Sequence, residues 1–85
     1  MKQFEYTVND PLGIHARPAG MLAKEAKNYT CVCPLTKEGT TVKASQLMKL
    51  MSLAVKQGDT VTVAAEGEDE DTAIAALKAF FEANL

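Results

Sequence analysis

Polar and apolar positions alternate from the start of the chain. In "FEYTV", Phe4, Tyr6 and Val8 fall on one side and Glu5 and Thr7 on the other, the pattern of a half-buried strand. "NDPLG" interrupts it as a turn. From Arg17 to about Asn28 the period changes. Ala19, Leu22, Ala23 and Ala26 recur at i, i+3, i+4 and i+7 and predict one apolar helix face, with Lys24 and Lys27 pointing elsewhere. Pro18 fits the first turn of that helix, where a missing N–H leaves no bond unmade. "TCVCPLT" returns to alternation and predicts a second strand with Cys31, Cys33 and Leu35 on one face. Pro34 there suits an edge or an outward, non-donating position. "KEGT" predicts a hairpin turn into a short strand around Thr40–Lys43, and "QLMKLMSLAV" a compact helix that ends before "KQGD". "TVTVAAE" turns Val61, Val63 and Ala65 inward. The last segment opens with acids from about Asp69, favourable at a helix N-terminus, and carries Ile74, Leu77 and Phe81 at i, i+3 and i+7.

The element order is therefore β-α-β-β-α-β-α, an α+β chain. Strands that alternate have one face to cover, and amphipathic helices are at hand to cover it. The pattern predicts a four-stranded antiparallel sheet with its helices on one side, and leaves the strand order open. The 85 residues are read as one domain, 1–85. A chain this short buries only about 60% of its unfolded surface, enough for a modest core without staples. No apolar run approaches the ~18 residues needed to span a membrane, and "MKQFEYTVND" has no apolar signal region, so a cytoplasmic location is expected.

The formal net charge is −2 and is unevenly placed. Residues 1–58 hold eight Lys/Arg and four Asp/Glu, whereas residues 59–85 hold one and seven. Nucleic acid wants a dominant basic field, so it is not the expected partner. A moderately basic face in the first part of the chain suits an acidic protein partner. Cys31 and Cys33, two apart on one extended strand, are poorly placed to bridge each other. A structural zinc site takes four ligands and the chain has a single histidine to add, so no metal is expected and both cysteines are read as small, reduced, core-facing residues.

That single histidine, His15, stands in "GIHARPAG" at or just before the first helix. Helices leave their first N–H groups unpaired and carry about half a positive charge at that end, so anions bind there. Arg17 adds a permanent charge two residues on. An imidazole nucleophile thus lies beside a place for an anion. Positioning and charge stabilisation are most of the catalysis in phosphoryl transfer. No glycine-rich nucleotide loop or acidic metal cluster accompanies it, so the donor must bring its own machinery. A solitary histidine near a helix start also serves as a plain cap or surface residue, and the residues alone leave both readings open.

Three collinear stretches, "GIHARPA" (13–19), "LMKLMSLAVKQGD" (47–59) and "AEGEDE" (65–70), closely resemble HPr, the histidine-containing phosphocarrier family of the phosphoenolpyruvate-dependent sugar phosphotransferase system. The resemblance covers essentially the whole chain. It implies an open-faced β-sandwich, with an antiparallel four-stranded sheet and three helices packed on one side. It implies that His15 takes a phosphoryl group on Nδ1 from phosphorylated enzyme I and passes it to a sugar-specific enzyme IIA. Arg17 would attend the phosphate, and Ala16 and Arg17 would offer backbone N–H groups. Leu47, Met48 and Met51, with Met21, would form an apolar docking patch bordered by Lys24, Lys27 and Lys49. Methionines suit a surface that accepts several partners in turn. The resemblance further implies a phosphocarrier, not a stand-alone catalyst, expected to be monomeric, with no cofactor beyond the covalent phosphoryl group.

One departure matters. In many low-GC Gram-positive relatives, a serine after a lysine just before the middle helix is phosphorylated by a dedicated kinase. Here Gln46 stands at the serine position and Ser45 at the lysine position. Phosphate there would add nearly two negative charges to the docking face. Ser45 is the one candidate for seryl phosphorylation, but an N-cap role is expected of it, with carrier activity intact and seryl regulation absent or altered. Two other functions stay in view: a paralogue that delivers phosphate to a regulatory protein, and a small metal-binding domain, since β-α-β-β-α-β is also that order. Metal-binding domains of this order usually carry a cysteine pair in the loop before the first helix, where this chain has His15 alone.

Overall fold

The computed structural model describes all 85 residues. Its elements are β1 (Lys2–Thr7), α1 (Ala16–Ala26), β2 (Pro34–Lys37), β3 (Thr40–Lys43), α2 (Leu47–Ser52), β4 (Thr60–Ala65) and α3 (Glu70–Asn84). The strands form one antiparallel sheet in the order β1-β4-β2-β3, with the helices packed over one side. β4 is the hub: Val63 lies opposite Phe4 on one flank and Leu35 on the other. The inward residues of the alternating strands meet Leu22 of α1, Leu50 of α2 and Leu77 and Phe81 of α3, all fully buried. Phe81 sits edge-on to Phe4 and Tyr6, with ring centroids 5.7 and 5.4 Å away. Burying one such side chain contributes about 1.5–3 kcal/mol. No buried side-chain nitrogen or oxygen lacks a hydrogen-bond partner.

β2 is shorter than the alternation predicts, and it is an inner strand. Pro34 is therefore not at a sheet edge; it is the first residue of a strand paired on both sides. Its missing N–H falls in a gap of the ladder to β4, between the isolated Val32–Glu66 bridge and the Leu35–Val63 pair. Cys31 and Cys33 precede the strand but keep its alternation: both are buried free thiols, and Val32 between them is half exposed. Their sulfurs are 3.7 Å apart. Burial pushes the Cys31 thiol up to about 12 and raises Cys33 as well, so both stay protonated.

The middle helix also ends early. The sequence pattern predicts residues 46–55, whereas α2 stops at Ser52 because Ala54 turns left-handed at φ 51°. Lys37 Nζ then donates to the Leu53 and Ala54 carbonyls at 3.1 and 3.0 Å and pairs with Asp59 at 3.1 Å. A cation thus closes the negative pole of α2. Ser45 is not the N-cap. That position is Gln46, which makes no side-chain capping bond, while Ser45 lies half-buried in the turn before it. At the β2–β3 hairpin, Glu38 and Gly39 both take positive φ, the primed turn that a two-residue loop between twisted strands requires.

α3 begins after Asp69, as the acidic run predicts, and its fully buried stripe is Ala73, Leu77 and Phe81, with Ile74 half-buried beside it. The Asp69 carboxylate does not cap its own helix. It accepts the Thr30 and Cys31 N–H groups, both at 2.9 Å, and fastens the loop after α1 to the start of α3. Those bonds hold its carboxyl below the usual carboxylate range.

Candidate functional site

The site is made by the turn between β1 and α1. Asp10 Oδ1 accepts the Leu12 N–H at 2.8 Å, and the Asp10 carbonyl accepts the Gly13 N–H at 2.9 Å. Gly13 has φ +67°, and a Cβ there would collide with the Val55 carbonyl. Only glycine lets the chain pass so close. Val55 O then takes the Ile14 N–H at 3.0 Å, and the buried Ile14 side chain anchors the turn in the core.

This anchoring puts His15 at the N-cap of α1, with extended backbone (φ −99°, ψ −176°). Its carbonyl accepts the first helical bond, from Ala19 N at 2.9 Å. Ala16 and Arg17 occupy the first two helical positions, whose amides have no partner within the helix, and Pro18 has no N–H to offer. The His15 ring does not cap the helix and its side chain is 36% exposed. Its Nε2 is 4.0 Å from Asp10 Oδ2. The first turn of α1 holds no acid, whereas that of α3 holds Glu70 and Asp71. With Arg17 exposed beside it, the positive pole of α1 is left unneutralised. A cleft of about 260 Å³ opens here, lined by Asp10, His15, Arg17, Pro18 and Met21, and by Ala83 and Asn84 at the end of α3.

The other residues singled out from the sequence spread over α1 and α2, which pack together. Met21, Leu47, Met48 and Met51 are 43, 38, 77 and 40% exposed, an apolar surface made from both helices. Lys24 and Lys49 are exposed on the same two helices, and Lys27 is exposed at the C-cap of α1. Leu50, which pattern alone could not separate from Leu47, is core at 1% exposure. Three cleft residues lie outside those the sequence singles out. Asp10 had a local signal, an aspartate opening the turn "DPLG". Ala83 and Asn84 had none, since only the packing of α3 brings them to the cleft. No group of three or more His, Cys, Asp or Glu gathers where a metal ion could be held, and no helix is long and apolar enough to cross a membrane.

Residues 2–83 match the family model described as the PTS HPr component phosphorylation site. The phosphocarrier protein HPr of Mycoplasma genitalium is 41% identical over 85 residues, covering 99% of this chain and 97% of its own. The HPr-like protein Crh of Halalkalibacterium halodurans is 44% identical over 70 residues, 82% of this chain and 83% of its own. A crystal structure of HPr from Thermoanaerobacter tengcongensis superimposes with a TM-score of 0.93 at 36% identity, over 98% of this chain and 93% of that one. Sequence, fold and the placement of the histidine agree, and the chain belongs to the HPr family of phosphocarrier proteins of the phosphotransferase system.

Proposed function

We propose that the chain shuttles a phosphoryl group on His15 between two proteins, accepting it from phosphorylated enzyme I and handing it to a sugar-specific enzyme IIA. The observation that carries this reading is the open imidazole at the N-cap of α1, beside two unpartnered amides and the exposed Arg17, with no acid in that turn. In the transfer, the Nδ1 lone pair attacks phosphorus and the bond from phosphorus to the donor breaks. The donor keeps that electron pair, and the phosphoryl oxygens turn toward the Ala16 and Arg17 N–H groups and the guanidinium. The second transfer reverses these steps. No cofactor beyond the covalent phosphoryl group takes part, and the chain is a carrier rather than a stand-alone catalyst.

Met21, Leu47, Met48 and Met51 make the docking patch, and Lys24, Lys27 and Lys49 steer acidic partners onto it. The carrier acts as a monomer in the cytoplasm. Gln46 cannot take phosphate, and Ser45 is half-buried in a turn, so seryl control of this face is absent or altered. The likeness to Crh supports a second reading, in which phospho-His15 serves a regulatory protein instead of sugar uptake.

Label transfer from phosphoenolpyruvate through enzyme I tests the primary reading. The label on the chain is expected to be acid-labile and base-stable, absent in His15→Ala and slower to appear in Arg17→Ala. Label that persists in His15→Ala refutes it. Onward transfer to an enzyme IIA, or to a regulator alone, separates the two acceptors.

A further inference from the structure

The carrier reading leaves one thing unexplained: what decides which ring nitrogen of His15 is the nucleophile. A neutral imidazole carries its proton on one nitrogen and a lone pair on the other. A carboxylate faces the ring: Asp10 Oδ2 is 4.0 Å from Nε2. Every other polar atom of Asp10 is engaged: Oδ1 with Leu12 N, the carbonyl with Gly13 N and the amide with the Leu85 backbone oxygen at 2.9 Å. The residue is therefore held from three sides, with Oδ2 left to face the ring. The His15 ring accepts no hydrogen bond from the helix amides. Arg17, the cation lining the same cleft, can add nothing that favours a proton.

We infer that Asp10 is a positioning residue for phosphoryl transfer: its carboxylate holds the imidazole proton on Nε2 and so leaves the Nδ1 lone pair for the phosphoryl group. A carboxylate acts on the ring as a point charge at this range, and the proton is favoured on the nitrogen nearer to it. When Nδ1 attacks phosphorus, the ring becomes positive with its proton on Nε2, and Asp10 stabilises that charge on the side opposite the phosphate. When the group leaves, the electron pair returns to Nδ1 and the proton stays where it was. The ring is thereby ready for the next cycle without a tautomer change. This rests on the carrier reading for its purpose, but the tautomer itself is a property of the unphosphorylated chain.

The sole histidine makes the test direct. Two-bond proton–nitrogen correlation on uniformly 15N-labelled protein, with the imidazole neutral, reports the protonation of each ring nitrogen. The native chain is expected to show Nε2 protonated and Nδ1 bare. Asp10→Ala should move the two nitrogen shifts toward each other, as the tautomers mix. Asp10→Asn keeps an oxygen for the Leu12 N–H but places an NH₂ opposite Nε2. It should reverse the preference and move the shifts further than alanine does. Labelling through enzyme I should slow about two- to fivefold in Asp10→Ala, the range of a part-exposed charge contact. Ring shifts in Asp10→Asn equal to those of the native chain would overturn the inference, as would a change seen only in Asp10→Ala together with displaced amides across residues 9–17. Label that survives His15→Ala would instead sink the carrier reading and leave the tautomer result standing.

Discussion

Gly13→Ala is the sharpest probe of how the fold aims His15. Two terms add at this position. The left-handed backbone (φ +67°) costs a non-glycine residue about 1–2 kcal/mol, offset by about 0.4–1 kcal/mol from the stiffer unfolded chain. The new Cβ would also collide with the Val55 carbonyl, which must retreat and release the Ile14 N–H. A backbone donor left unsatisfied costs about 1–3 kcal/mol. The total is about 1–5 kcal/mol, and its midpoint of about 3 kcal/mol corresponds to a fall in Tm of about 12–24 °C for a domain of this size. Gly39→Ala is the matched control: φ is +82° but nothing lies within 4 Å of its Cβ, so only the first term applies. Its cost is about 1 kcal/mol, a fall of about 4–8 °C. Thermal melts of the two variants isolate the close approach, and phosphoryl labelling below both melting points reports its effect on His15. Labelling should slow in Gly13→Ala and stay unchanged in Gly39→Ala. Equal melting losses would refute the claim that Val55 and Gly13 are in obligatory contact.

Asp69→Asn should lose the two charged bonds to Thr30 and Cys31 and lower Tm at neutral pH. Because those bonds depress the folded-state carboxyl, its stabilisation is full above the unfolded-state range and disappears as pH falls through the folded-state one. The variant should therefore melt with a flatter acid dependence, and identical acid profiles would count against the latch. Ala54→Gly relieves a left-handed alanine and should raise Tm by about 2–6 °C, an unchanged or lowered value showing that α2 does not end on strain. Cys31 and Cys33 should ignore an aromatic disulfide reagent in the native protein and both react in denaturant, since burial keeps them as thiols. Rapid native labelling would disprove that burial.

How far the chain could be read without its fold differs by element, for identifiable reasons. α1, β1 and β4 bury one continuous face each, so Leu22, Tyr6 and Val63 declare themselves by period alone. β2 could not be placed, because its alternation begins at Cys31 while its two-sided pairing begins only at Pro34, and nothing local says which neighbours it will have. α2 is six residues long, too short for its period to mark an end that one left-handed alanine and a lysine from β2 impose. For the site, His15 and Arg17 were visible as residue types and through family resemblance. Asp10 facing the ring was not, because that depends on how the turn closes over Val55. The Asp69 latch joins residues 38 and 39 apart and has no local signature at all.

The two long helices of the fold treat their positive poles in opposite ways, and this difference bears on what a carrier needs. α3 opens with Glu70 and Asp71, and the Glu70 carboxylate also accepts the Gly67 N–H at 3.4 Å, so its pole is neutralised from within the chain. α1 opens with no acid, a proline at its third position and an arginine at its second, so no side chain of its first turn neutralises its pole. A permanently filled pole would stabilise the resting protein but compete with the phosphoryl group. A deep pocket with many donors would hold that group too well to release it. Two free amides and one flexible guanidinium at an open N-cap lie between these limits. In the proposed transfer they would stabilise the charge in transit, and would be too few to retain it once an acceptor docks against the proposed patch of Met48 and Met51.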